Sequence, residues 1–331
     1  MVSSGLTRDT EGISSVTMLG LNVQTTIKTP VSFTGVGLHS GQPVRITVQP
    51  ASAEYGIWFH RQDIFDRDAM VPARWDSVER APLCTLLVNH AGVSVSTVEH
   101  LMAALTGCGI HNALILIDGP EVPILDGSSA LFVAGFVKSG LRRLNAPIRA
   151  IRVLKPVEVR EGQAVARLDP ADGFQIDFSI EFADAAIGAQ SKSLSMANGA
   201  FVRELCDSRT FCRQADVDVM HQNGLALGGT LENAVVVDGA QILSPGGLRH
   251  SDEAVRHKML DAMGDLALAT CPILGRYTGL RAGHALTNTL MRHLFSRPDA
   301  FRMVTCDAKM AAKLPGTGVG RADLVGLQRA A

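Results

Sequence analysis

The stretch that decides the reading is Arg256-His257-Lys258-Met259-Leu260-Asp261-Ala262-Met263-Gly264-Asp265. It reads as helix, and a 3.6-residue period stacks His257 and Asp261 on one face. Met259, Leu260, Ala262 and Met263 give the segment an apolar surface, and Asp265 extends the polar line by another turn. A row of His, Asp and Asp inside an apolar region is costly without a cation. The same pair also reads as an exposed i,i+4 contact contributing about 0.2–0.5 kcal/mol.

Working outward, a catalytic zinc takes three protein ligands, one open position and a nearby base. Glu99-His100, far upstream, offers a third ligand and a base. The competing reading makes Ser96-Thr97-Val98-Glu99 a capping box, with Ser96 as N-cap and Glu99 reaching back to its amide. Spacing alone does not separate the two. His284, after Arg281-Ala282-Gly283, reads either as a helix-start residue or as a proton donor or oxyanion partner whose charged form Asp265 would favour. Thr210 reads as a loop hydroxyl or an oxyanion donor. Phe211 reads as core or as an aromatic face for a sugar. The Gly-rich runs 34–41 and 227–230 match no phosphate-loop or dinucleotide pattern and read as turns, and His-Glu-x-x-His is absent.

The chain has 331 residues, 46% hydrophobic and 19% charged, enough for two domains with a large core. A net charge of −1 leaves no global field to recruit nucleic acid. The six cysteines are far apart with no Cys-x-x-Cys, which argues against a disulfide framework and for a reducing cytoplasm. No apolar run approaches the roughly 18 residues of a spanning helix, and no secretory signal opens the chain. Residues 1–22 read as a flexible arm. Residues 311–331, with Pro315-Gly316-Thr317-Gly318, read as a flexible tail.

Strands and helices are mixed rather than regularly alternating, so the expected class is α+β. A first domain spans 23–146. It holds a hairpin over 24–50, a helix 97–106, a strand 113–117 and a helix from Asp126 through Lys138. A second spans 147–310. It holds strands at 149–159, 163–168, 174–182 and 272–280, and helices near 198–206, 252–269 and 284–295. His100 to Gly107 and His257 to Gly264 echo each other: His first, Met two later, Gly seven later. If each domain presents one histidine helix, a metal lies between them, where ligand sites often occur.

Several segments resemble the UDP-3-O-acyl-N-acetylglucosamine deacetylases, the zinc amidases of lipid A synthesis. They are Thr34-Gly-Val-Gly-Leu-His39, Ser94-Val-Ser-Thr-Val-Glu-His100, Pro123-Ile-Leu-Asp-Gly-Ser128, Ser208-Arg-Thr-Phe211, Gly224-Leu-Ala-Leu-Gly-Gly229, Val255-Arg-His-Lys-Met-Leu-Asp-Ala262 and Gly283-His-Ala-Leu286. They follow the family's order and cover roughly 25–295. The resemblance implies two sheet-plus-helix layers packed face to face with the active site between them. It implies His100, His257 and Asp261 as ligands of Zn2+, Glu99 as general base, His284 as general acid or charge partner, Thr210 as oxyanion donor and Asp265 as the residue orienting His284. It implies Lys258 against substrate phosphate, Phe211 on the glucosamine and Phe182 near the uracil. An insert at about 213–240 would form an acyl passage carrying Leu225, Ala226 and Leu227, and Cys84 matches a family cysteine near the metal. Cys212, His111 and Gln163-Ala164 depart from the family pattern, and none is a proposed ligand. The expected partner is the UDP-linked acyl-glucosamine substrate, with a monomeric chain, at most peripheral membrane contact and no nucleic acid. The rival readings are a zinc amidase on another acetylated sugar and a non-catalytic nucleotide-sugar binder. The two-His, one-carboxylate set also suits iron or cobalt.

Overall fold

A computed structural model of the chain describes residues 22–327; the expected arm lies almost wholly outside them. The architecture is α+β. One five-stranded sheet runs Val31–Val36, Pro43–Pro50, Ala113–Ile117, Ile57–Arg61, Met70–Pro72, antiparallel except where Ile57–Arg61 lies parallel to Ala113–Ile117. Val44, Ile46 and Val48 alternate inward along their strand, as a half-buried antiparallel strand requires. A seven-stranded sheet is built around Ile273–Leu280, flanked by Ala164–Asp169, Arg149–Val153 and Phe174–Glu181. Phe174, Ile176, Phe178 and Ile180 form its inward row.

Two helices join these sheets. The first histidine helix, Glu99–Gly107, buries every residue but Thr106. The second, Glu253–Ala267, buries all but Arg256, Lys258 and Ala267. They pack directly on one another. A Cβ built on Gly264 would lie 2.0 Å from the Glu99 carbonyl oxygen, and one on Gly107 would lie 2.0 Å from the Phe201 ring. The glycines that end the two echoing segments are therefore what let each helix seat against its neighbour.

The capping box is not formed. The helix begins at Glu99 with Val98 as N-cap and no side-chain cap, and Ser96 Oγ donates to the Pro120 carbonyl instead. Thr97 sits at φ 56, and its hydroxyl donates to Glu121. The expected hairpin is confined to Val31–Pro50, because Val23–Ile27 pairs with Leu141–Pro147. The helix expected from Asp126 starts at Ala130, and the one near 198–206 is a π-helical turn, Phe201–Leu205. Residues 311–327, expected as a loose tail, are packed: Leu314 is buried, Gly316 abuts Gly109, and Asp323 pairs with Arg203 at 2.8 Å. No helix among the described residues is long and apolar enough to cross a membrane.

Gly264→Ala forces a methyl into backbone, where no side chain can yield. We expect it to lower the unfolding free energy by about 1–3 kcal/mol. Gly320→Ala, where an added methyl meets nothing within 4 Å, should be neutral in the same denaturant titration.

Candidate metal centre and active-site cleft

His100 stands in the first turn of one histidine helix, and His257 and Asp261 lie one turn apart on the other. One ligand atom from each falls within 4.8 Å of the others, and all three residues are buried. Asp261 Oδ1 is 3.3 Å from His257 Nε2 and 3.5 Å from His100 Nε2. That oxygen has no hydrogen-bond partner among the described residues. Its twin, Oδ2, accepts from Lys258 Nζ at 2.8 Å. His257 Nδ1 lies 3.0 Å from the Ser208 carbonyl. A carbonyl only accepts, so Nδ1 carries the proton and Nε2 turns its lone pair to the centre. Burial pushes His257 down to about 4 against the pull of Asp261. Burial alone would raise the Asp261 carboxyl, but His257 and Lys258 override it and hold it well below the usual range. A buried, unpartnered carboxylate oxygen facing two imidazoles is a donor set that fits a divalent transition metal.

Beside this centre, Glu99, Asp265 and His284 form a second cluster. His284 Nδ1 is 2.9 Å from Asp265 Oδ2, and its Nε2 is 3.7 Å from Glu99 Oε1, too far for a hydrogen bond. Burial would lower the imidazole, yet Asp265 and Glu99 raise it to about 9, so His284 is cationic at neutral pH. Burial raises the Glu99 carboxyl, and His284 and His100 oppose that. Thr85, not singled out from the sequence, touches both acids. Its amide donates to Glu99 Oε2 at 3.1 Å and its hydroxyl to Asp265 Oδ1 at 2.6 Å. The one local sign of it was a lone polar residue in the apolar run 83–88.

Thr210 and Phe211 are positioned by a buried ion pair. Arg209 Nε and Nη2 donate to Glu253 at 2.9 and 3.1 Å, and the Arg209 amide donates to the same carboxylate. The Thr210 amide donates to Gly127 O at 2.8 Å, which ties the segment back to the first half of the chain.

These groups share the wall of one cleft of about 1120 Å³. Glu99, His100, Thr210, His257, Lys258, Asp261 and His284 all reach it. Phe182 and Phe211 line it edge to face, with ring centroids 5.4 Å apart. Its apolar arm is formed by Val217, Met220, Ala226, Leu231 and Val236. Leu225 and Leu227, expected there, do not line it. Backbone amides of 227 and 228 donate to His39 and Leu38, which seats Leu227 over Gly41 with its side chain largely exposed. Cys84 lies outside the cleft, in a smaller pocket that it shares with Thr85 and His284. Burial pushes its thiol up to about 12.

Residues 24–296 match the family described as UDP-3-O-acyl N-acetylglycosamine deacetylase. Three proteins named UDP-3-O-acyl-N-acetylglucosamine deacetylase are similar over most of their length. That of Phenylobacterium zucineum (strain HLK1) is 48% identical over 282 residues, 85% of this chain and 96% of the relative. That of Anaeromyxobacter sp. (strain Fw109-5) is 47% identical over 294 residues, covering 88% and 95%. That of Idiomarina loihiensis is 45% identical over 290 residues, covering 87% and 94%. A match this long, carrying the histidine helices and the cleft they line, makes the chain a member of the UDP-3-O-acyl N-acetylglycosamine deacetylase family.

Proposed function

We propose that this chain hydrolyses the N-acetyl group of UDP-3-O-acyl-N-acetylglucosamine in the cytoplasm, releasing acetate for lipid A synthesis. A zinc ion would be held by His100, His257 and Asp261. The observation that carries this reading is the unpartnered Asp261 oxygen between two imidazoles, at the wall of a cleft that also presents Glu99 and His284. Zinc, when bound, supplies a Lewis acid for the acetamide carbonyl and for water.

The remaining steps belong to the chain. Glu99 Oε1, 3.7 Å from His284 Nε2, takes a proton from the water that attacks the acetyl carbon. Thr210 donates its hydroxyl to the oxyanion, a contact of the kind whose loss costs about 3–4 kcal/mol of barrier. His284 gives its Nε2 proton to the sugar nitrogen as the C–N bond breaks, and Asp265 holds the ring through Nδ1. Phe211 and Phe182 offer faces for the glucosamine and the uracil. Lys258, with one proton committed to Asp261, directs the others to phosphate. The apolar arm receives the acyl chain, with Ala226 in its wall.

Glu99→Gln should leave the metal content unchanged and lower kcat by about 100- to 10,000-fold, the range for a lost general base. Wild-type turnover in that variant would remove Glu99 from the chemistry. His257→Ala should cut bound zinc well below one ion per chain by elemental analysis, and unchanged stoichiometry would exclude it as a ligand. Acetate release from the UDP substrate should fall sharply when the O-acyl chain is omitted. Equal rates would favour an amidase for a simpler acetylated sugar.

A further inference from the structure

We infer that Thr85 is a positioning residue for the proton-transfer pair, setting the distance between the carboxylate of Glu99 and the imidazole of His284. The inference rests on the deacetylase reading above.

A short hairpin of Leu86–Val88 and Ser94–Ser96 brings Thr85 there. Leu86 pairs with Ser96, so Thr85, one residue earlier, runs beside Thr97 and reaches the start of the first histidine helix. It is 4% exposed, so its donors have no solvent to turn to. Its amide is spent on Glu99 Oε2 and its hydroxyl on Asp265 Oδ1. Asp265 Oδ2 then accepts from His284 Nδ1, and His284 Nε2 faces Glu99 Oε1. Of these four groups, Thr85 alone hydrogen-bonds both acids.

That position has a physical purpose. Two buried acids face one imidazole, and each has an oxygen turned away from it. An outward oxygen left bare in a dry site costs free energy and invites the carboxylate to rotate. Thr85 supplies a donor to each outward oxygen, so the inward ones stay aimed at opposite nitrogens of the same ring. The gap between Glu99 Oε1 and His284 Nε2 is thereby held open on the cleft side. Thr85 itself lines the smaller pocket beside Cys84 and His284, not the cleft.

Thr85→Val keeps the amide, the β-branch and nearly the volume, and exchanges the hydroxyl for a methyl that cannot donate to Asp265. We expect a loss of about 10- to 100-fold, the range typical when the outer hydrogen-bond partner of a metal ligand is removed. The loss should fall on kcat with KM near wild type and metal content unchanged, and Thr85→Ser should recover kcat to within about threefold. In a double-mutant cycle, adding Thr85→Val to Asp265→Ala should cost nothing further in kcat. A valine variant with wild-type kcat, additive losses in the cycle, or a serine variant as slow as valine would each overturn the proposal. Should the valine variant fail to fold, the alanine and serine variants give the same comparison. Inactivity of the wild-type enzyme on the UDP substrate would instead refute the deacetylase reading, a result separate from any of these.

Discussion

The close seating of the second histidine helix on the first is the constraint on which the site depends. Gly264 presses against the carbonyl of Glu99, the residue just before His100. This contact fixes where the first turn of one helix lies along the other. His100 is therefore placed opposite His257 and Asp261, which the i,i+4 spacing has already set on one face. A larger residue at 264 would part the helices at the place where ligand atoms of His100, His257 and Asp261 lie within 4.8 Å of one another.

Burying so many charged groups between two helices carries a large desolvation cost, and the structure meets it by pairing. Lys258 covers one oxygen of Asp261, Arg209 forks onto Glu253, and His284 stays protonated between Asp265 and Glu99. The second helix is buried almost all round, so its polar line runs through protein rather than along a solvated face. An exposed i,i+4 pair would have no need of these partners. The Asp261 oxygen that stays unpaired lies between two imidazoles, and that position gives it a use.

The parts of this arrangement visible in the sequence were those written in local periodicity. His257 and Asp261 share a helix face, the 284–295 helix has the bounds expected, and strand 113–117 is as read. What stayed hidden depends on long-range pairing. Val23–Ile27 finds its partner more than a hundred residues away. Ala189–Ser195 is an edge strand of alternating polar residues whose pairing with Phe174–Glu181 leaves no apolar signature of its own. The 311–327 segment is rich in turn residues, yet Leu314 finds a buried place. The family resemblance placed Leu225, Ala226 and Leu227 in the passage, but the clasp of 227–228 onto the 38–39 backbone turns Leu227 outward and leaves Ala226 facing in.

One device recurs in the buried acids around the cleft. Among Glu99, Glu121, Asp261 and Asp265, each has an oxygen anchored by the scaffold and, in three of these four, a second left for the site. Asp261 gives Oδ2 to Lys258 and keeps Oδ1 free. Asp265 gives Oδ1 to Thr85 and turns Oδ2 to His284, and Glu99 gives Oε2 to the Thr85 amide and turns Oε1 toward the same ring. Glu121 is the fourth, with both oxygens committed: to the amides of His39 and Ser40 and the hydroxyl of Thr97. Its task is to hold backbone, including Thr97 in a left-handed conformation that costs about 1–3 kcal/mol. The difference follows from geometry. A carboxylate whose oxygens are both saturated by fixed donors can only brace the fold. One anchored at a single oxygen is held still and yet keeps a lone pair for a proton or a cation, and that combination is what separates the site's acids from the fold's.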